Sequence, residues 1–261
     1  MEMRKSRVLE TLKKGQIARS IKLNLLDPRV IEIAGMCGFD AVWLDMEHVP
    51  TDWTTLENGV RAGKIYNTDF VVRVEKGSYS DYIKPLEMDA AGLIIPHLMS
   101  LEEAKQIVKT TRFHPLGLRP MDGGNADGAY CMLDFMKYIK QANENRFICV
   151  QIEDIDPLPE LEEIAQVEGI DMILFGPGDF SQSLGTPGDQ TNPELIKARE
   201  RVAAVCRKHG KYAATVGNPG NYNSLVDMGY QYINIGADVV GLSQYFGGLL
   251  EQCDADRKWE K

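Results

Sequence analysis

The sequence predicts an α/β protein built as a single (β/α)8 TIM barrel over residues 1–261. Three observations predict it. Short apolar strand patterns alternate with helical ones eight times along the chain. Several of those strands are apolar throughout, as expected when helices cover a parallel sheet. No linker divides the series, and 261 residues suit one undivided barrel. A doubly wound open sheet is the competing architecture, because alternation alone does not prove closure.

The elements follow in order. MEMRKSRVLETLKKG carries basic residues with no long apolar stretch behind them, so it reads as a short helix capping one end of the barrel rather than a secretory leader. QIARSIKLNL, at 16–25, is the first strand. DPRVIEIAGMC is the next helix, with Asp27 as cap and Pro28 at its first position, where a missing N–H costs nothing. DAVWLD is a buried strand ending at Asp45, DWTTLENGVRAGKI an amphipathic helix, and DFVVRV a third strand ending near Arg73. SYSDYIKPLEM is helical with Pro85 at a bend or end, AGLIIP is strand four, and SLEEAKQIVKTT opens on a capping box of Ser100 and Glu103.

The rhythm breaks over 112–130, RFHPLGLRPMDGGNADGAY, which is rich in Gly, Asp and Pro and longer than a routine connection, so a functional loop is expected there. A helix at 131–143 and the strand FICVQIE come next. Asp156 and Pro157 open a helix through LPELEEIAQV, DMILFG is strand six, and GDFSQSLG is a short helical turn. NPELIKARERVAAVCRKHG is a long amphipathic helix stopped by Gly210. YAATVG, the short helix NYNSLVDMG, the strand YINIG and the closing helix DVVGLSQYFGGLLEQC complete the chain.

Composition excludes several functions. No apolar run reaches the roughly 18 residues of a membrane span. A net charge of −9 disfavours a general nucleic-acid surface. Five cysteines, odd in number and without a CxxC pair, read as free thiols in a reducing compartment, so a cytoplasmic location is expected. There is no GxGxxG after strand one, no GxxxxGK[ST] and no GxSxG, so dinucleotide, P-loop and serine-hydrolase readings lose their usual support.

In a barrel, chemistry gathers at the carboxyl ends of the strands. Strand two ends in Asp45, Glu47 and His48, strand three in Arg73, strand five in Gln151 and Glu153, and the exit of strand six carries Asp179. Glu153 and Asp179 are the candidate metal ligands: oxygen donors with open water positions suit Mg2+ or Mn2+, with Co2+ an in vitro substitute. The plainer reading makes them helix caps or surface acids. Gly176 and Gly178 would expose backbone N–H groups able to hold a substrate carboxylate. Arg73 ends an apolar strand, where a guanidinium stabilises an enolate oxygen or simply ties adjacent strand ends. His48, beside carboxylates, either relays a proton or makes a structural hydrogen bond. The spacing of His48, His97 and the acids matches no strong zinc motif, and a Schiff-base aldolase would rest on Lys22, a lysine with no visible partner in the sequence.

Four stretches together carry a resemblance: GFDAVWLDMEHVP at 38–50, VVRVEKG at 71–77, LIIPHLMSLEEAKQIVKTTRFHPLGLRP at 93–120, and VQIEDIDPLPELEEIAQVEGIDMILFGPGDFSQSLGTPGD at 150–189. From about residue 13 to 250 the chain resembles the metal-dependent pyruvate aldolases typified by 2,4-dihydroxyhept-2-ene-1,7-dioate aldolase and the 2-keto-3-deoxy sugar-acid aldolases. The resemblance implies a class II aldolase that reversibly cleaves a 4-hydroxy-2-oxo acid to pyruvate and an aldehyde. Other outcomes are another 2-oxo-acid carbon–carbon lyase, such as a decarboxylase, or a noncatalytic metal-binding scaffold. It implies Glu153 and Asp179 on the metal, Arg73 at the 2-oxo oxygen, and His48 as proton carrier with Asp45 nearby and Glu87 as a further carboxylate. Gln151 would orient water or substrate, and Arg119 would serve from its loop, although Pro120 follows it here. It also implies a homo-oligomer, a hexamer, with the closing helix at a subunit interface.

The departures lie at the aldehyde end. Lys22 stands where the family often has tryptophan, His97 where it has methionine, and MDGGNADGAY replaces the usual small-residue and arginine pattern after Arg119. A negatively charged or strongly polar substrate tail, met by Lys22 and not by Arg19, is expected from this.

Overall fold

In the computed structural model of the chain, which describes residues 1–253, eight parallel strands pair in sequence order and the eighth closes on the first. The strands are β1 (Ala18–Leu23), β2 (Ala41–Asp45), β3 (Asp69–Arg73), β4 (Gly92–Ile95), β5 (Phe147–Ile152), β6 (Met172–Phe175), β7 (Tyr212–Val216) and β8 (Tyr232–Ala237). Closure removes the open-sheet alternative. The expected span of 1–261 includes residues 254–261, which lie outside the described residues.

The helices are α1 (Arg7–Lys13), α2 (Pro28–Met36), α3 (Trp53–Ile65), α4 (Tyr79–Glu87), α5 (Leu101–Thr111), α6 (Phe135–Asn145), α7 (Leu161–Gln166), α8 (Pro177–Ser183), α9 (Pro193–Lys208), α10 (Tyr222–Met228) and α11 (Asp238–Glu251). Local chemistry sets several of their ends. Asp27 accepts the Arg29 N–H with Pro28 behind it, and Ser100 accepts the Glu103 N–H. Glu103 does not complete the reciprocal box, because its carboxylate takes the Met99 N–H at 2.9 Å instead. The first strand is shorter than its expected span, and the helix expected at 131–143 begins only at Phe135, where Asp134 caps it. Among the described residues, no helix is long and apolar enough to cross a membrane.

Two layers of apolar packing hold the barrel. Residues facing outward, such as Val42, Val72 and Ile173, meet the helices, while Trp43, Val71, Ile94, Phe147, Met172 and Tyr232 fill the interior. A Cβ at Gly92 would run into the Phe147 ring, so the missing side chain makes room for that interior layer. Helix α1 closes the amino-terminal end, as expected: Val8, Leu9 and Leu12 pack with the interior residues, and Asp69, opening β3, accepts from Ser6 Oγ at 2.6 Å and Val8 N at 2.9 Å.

Around that same end lies a ring of buried ion pairs. Arg4 meets Asp69 at 2.7 Å, and Arg146, just before β5, binds Asp127 at 2.8 Å and also Asp89. Arg119 meets Asp127 at 3.1 Å, and Arg112 pairs with Asp171 before β6. At the seam, the β1–β8 register shifts between Ser20 and Lys22. Beyond it, Asp238 accepts the N–H groups of Asn24 at 2.9 Å and Leu25 at 3.0 Å, latching the two ends of the chain together.

Candidate active site

The carboxyl ends of the strands surround a cavity of about 280 Å3. Lys22, Trp43, His48, Arg73, Gln151 and Asp179 line it, joined by Gly176, Gly178, Val216 and Asn234. Parallel strands in register bring these residues together from β1, β2, β3, β5, β7 and β8 and from the exits of β2 and β6.

Asp45 organises one side of this mouth. It is fully buried at the end of β2 and receives Arg73 through two parallel bonds, Nε to Oδ1 at 2.9 Å and Nη2 to Oδ2 at 2.6 Å. Lys22 Nζ lies 2.6 Å from Oδ2, and the Glu47 N–H donates to Oδ1 at 3.1 Å. Burial alone would raise this carboxyl, but Arg73 and Lys22 overcome it and hold the group at about 2. Lys22 thus has the partner that the sequence did not reveal, the buried Asp45 carboxylate. Arg73 lies over the Trp43 ring at 5.2 Å and makes a further contact with Glu47 at 3.2 Å. His48 is more than half exposed at the rim, its Nε2 3.6 Å from Glu47 Oε2.

Across the barrel, Glu153 is buried at the exit of β5. One oxygen accepts the His97 N–H at 2.8 Å, and the Gln151 amide donates to the other. His97 reaches this position from a left-handed backbone, φ +48°, and its ring Nδ1 meets Asp154 at 2.9 Å while Nε2 faces Glu47 at 3.5 Å. Gly176 gives the site room: a Cβ there would stand 2.7 Å from Gln151 Nε2 and 2.8 Å from Glu153 Oε2 and would push on both side chains. Its N–H is spent on the Ile152 carbonyl at 3.0 Å, so its contribution is space rather than the anion-binding amide expected of it. Gly178 has open space at its Cβ position. Asp179 lies in the first turn of α8 rather than at its cap, which is Gly176.

Desolvation pushes Glu153 up to about 7 against the pull of His97 and Arg73, and Asp179 adds to the rise. A buried carboxylate facing a second one is stabilised as an anion by a cation between them. The Gln151 Oε1 is also buried without a hydrogen-bond partner. These oxygens fit a hard divalent ion that draws the rest of its ligands from water and a chelating substrate. Among the described residues, no three His, Cys, Asp or Glu side chains converge as a complete protein-only metal shell.

Two expected residues lie elsewhere in the chain. Glu87 borders a separate groove with Lys84, Asn125 and Tyr130, and Arg119 is buried against Asp127, Tyr138 and the Phe113 ring. The reason is topological. Glu87 ends the helix before β4, and the long segment around Arg119 lies between α5 and α6 on the return to β5; such return connections lie at the end of a barrel opposite the cavity. Conversely, Glu47, His97, Trp43 and Asn234 belong to the site or its edge without having been assigned roles. Glu47 and His97 were legible as polar residues just past strand ends; Trp43 and Asn234 looked like ordinary strand residues.

This arrangement has relatives. A 2-keto-3-deoxy-L-rhamnonate aldolase of Salmonella newport (strain SL254) is 32% identical over 233 residues, covering 88% of this chain and 86% of its own. The solved structure of the citrate synthase SbnG is 30% identical with a TM-score of 0.85, covering 93% of this chain and 95% of that one. An HpcH/HpaI aldolase from Desulfitobacterium hafniense DCB-2 superposes with a TM-score of 0.90 at 23% identity over 97% and 98% of the two chains, a likeness of fold. The family model for HpcH/HpaI aldolase/citrate lyase matches residues 23–244, and with that match the chain belongs to this family of aldolase- and lyase-type enzymes.

Proposed function

We propose that the protein is a metal-dependent aldolase that reversibly cleaves a 4-hydroxy-2-oxo acid into pyruvate and an aldehyde. The observation that carries this reading is one cavity lined by Asp179, Gln151, the Arg73 guanidinium and the His48 imidazole, with Glu153 buried beside it and accepting from the Gln151 amide. Glu153 and Asp179 would hold Mg2+ or Mn2+, which supplies Lewis-acid polarisation of the 2-oxo acid.

The chain's own residues do the rest. Arg73 spends Nε and Nη2 on Asp45, which aims the guanidinium and leaves Nη1 to donate to the 2-oxo oxygen, where negative charge develops as the C3–C4 bond breaks. His48 accepts the proton of the 4-hydroxyl, directly or through one water, and Glu47 stabilises the resulting imidazolium. In the condensation direction the same imidazole removes a proton from pyruvate C3. Gln151 holds Glu153 in place through its amide and offers Oε1 as an acceptor. Gly178, on the rim, leaves room for the substrate carboxylate.

The test is a Mg2+- or Mn2+-supplemented screen of 4-hydroxy-2-oxo acids with pyruvate and aldehyde both measured. Equal release of the two products is expected. Absence of products across the panel, together with no exchange of pyruvate C3 protons for deuterium in the metal-supplemented enzyme, would sink the reading. Glu153→Gln and Asp179→Asn should each weaken metal binding by at least about 10-fold in a titration and lower turnover with it. Unchanged affinity in both would leave them as structural acids.

The likeness to a citrate synthase favours a second reading, another carbon–carbon lyase or synthase acting on a 2-oxo acid. Turnover of a 2-oxo acid without an aldehyde partner would select it. Either reaction is compatible with a homo-oligomer, which we take to be a hexamer with α11 at the interface. Val240, Tyr245, Phe246 and Leu250 on that helix are exposed and apolar, which supports the assignment. Light scattering at assay concentration tests it, and a monomer mass would reject it.

A further inference from the structure

Two donors aim the buried Glu153 carboxylate. The Gln151 amide comes from β5 itself and takes Oε2, while the backbone N–H of His97 reaches Oε1 at 2.8 Å from the irregular segment that follows β4. The second donor depends on a special backbone. His97 has φ +48°, a region that a residue bearing a side chain occupies only when its surroundings hold it there. They hold it at three points. The ring Nδ1 lies 2.9 Å from Asp154 Oδ2 and Nε2 lies 3.5 Å from Glu47 Oε1. The His97 carbonyl accepts from Lys76, which is tied in turn to Glu103 at 2.9 Å. The next N–H, of Leu98, goes to the Gln151 carbonyl at 3.1 Å, so within one residue the chain passes from the side chain of Glu153 to the main chain of β5.

Ring and amide therefore serve different partners. The ring spans the exits of β5 and β2 through Asp154 and Glu47, and the N–H serves Glu153. His97 lies outside the cavity lining, so it acts through Glu153 and not on a substrate. A carboxylate with one oxygen fixed by each donor has little freedom to turn, and that is the condition for presenting a defined lone pair to a bound ion.

We propose that His97 is a positioning residue for Glu153: the grip of Asp154 and Glu47 on its ring fixes the left-handed backbone that delivers its N–H to Oε1, and so sets the aim of the carboxylate. The consequence for metal binding rests on the reading of Glu153 as a ligand, but the positioning itself is tested without metal. Asp154→Ala removes one end of the grip and leaves His97 and Glu153 in place. Hydrogen exchange in the metal-free protein is resolved to single amides by fragmentation mass spectrometry. The His97 N–H should exchange about 10-fold faster than in wild type, the size of one hydrogen bond to a charged group. The β4 amides of Leu93, Ile94 and Ile95 should keep their rates. Asp154→Asn retains an acceptor oxygen for the ring and should bring the His97 rate back to within about 3-fold of wild type. A rate unchanged by Asp154→Ala, or a rise shared by the β4 amides, overturns the proposal.

Mn2+ titration then asks where His97 acts. Asparagine tolerates the left-handed backbone but is too short to span Asp154 and Glu47. His97→Asn should weaken Mn2+ binding by about 10-fold, as for a lost partner of a ligating carboxylate. In a Glu153→Gln background the same change should alter binding by less than about 2-fold, because no charged ligand is left to aim. No loss in His97→Asn, or an equal loss in both backgrounds, also overturns the proposal. If Glu153→Gln leaves Mn2+ affinity untouched, the metal reading falls, and the exchange result alone decides the positioning.

Discussion

The two ends of the barrel use similar residues in opposite ways. At the amino-terminal end, Arg4, Arg112, Arg119 and Arg146 each have a carboxylate, and Arg146 spans two. At the carboxyl-terminal end, burial and the nearby Asp179 push the Glu153 carboxyl up, Gln151 Oε1 and Trp43 Nε1 have no partner, and Arg73 keeps a donor free. Single nitrogens of Arg4 and Arg119 also lack a hydrogen bond, but every arginine at that end has a carboxylate, whereas Glu153 at the other end is buried as an acid with its carboxyl pushed up. The difference teaches that charge content alone does not identify a site; the balance of donors, acceptors and counter-charges does.

The largest effect that would break this comparison is at the paired end. Arg146→Ala removes the buried guanidinium that Asp89 and Asp127 share, leaving Asp89 to Lys64 and Arg4 and Asp127 to Arg119, and should cost about 3–5 kcal/mol in urea unfolding, the scale of a broken buried pair. A loss below about 1 kcal/mol, the range of exposed pairs, would show that the ring is dispensable. Next comes Arg73→Ala, expected to lower kcat by about 10²–10³, or about 2.7–4 kcal/mol, the scale of a lost oxyanion donor. Its urea midpoint should move less than that of Arg146→Ala, since Lys22 remains on Asp45. A variant that loses stability but not kcat would place Arg73 with the structural arginines.

Gly176→Ala sharpens the contrast from the packing side. The added carbon must displace Gln151 or Glu153, a strain of about 1–3 kcal/mol, and metal titration should show weaker binding by a folded protein. Unchanged metal affinity would separate the glycine from the site. The smallest effect is in acid. Asp45 is held below its unfolded value, so its contribution to stability is complete above about pH 4 and is lost as the pH falls toward about 2. Lys22→Met removes one of the two cations responsible, so acid unfolding should begin at a slightly higher pH than in wild type. An unchanged acid transition would mean that Arg73 alone sets this carboxyl.

Much of this was legible in the sequence, for identifiable reasons. DAVWLD, DFVVRV and FICVQIE announce strands because apolar runs end abruptly in polar residues, and that same break delivers Asp45, Arg73 and Glu153 to the cavity mouth. The capping of α2 by Asp27 needs only its neighbours in sequence. What misled was distance in the other direction. The segment around Arg119 looked functional because it is long and rich in glycine, yet it follows α5 and precedes α6, which assigns it to the far end of the barrel. Glu87, preceding β4, has the same geometry. The roles of Trp43 and the Gly176 amide were not legible, because each depends on which hydrogen bonds are already taken, a property of three dimensions.

The latch at the barrel seam has a consequence for how the protein comes into being. Glu153, Asp179 and Arg73 all precede β7 and β8 in the chain. The β1–β8 pairing and the grip of Asp238 on Asn24 and Leu25 join residues more than two hundred positions apart, contacts that only a nearly finished chain can make. A nascent or truncated polypeptide would therefore hold the acids of one wall before Lys22 has its neighbours on β8, and competence for the full reaction arrives with the last strand.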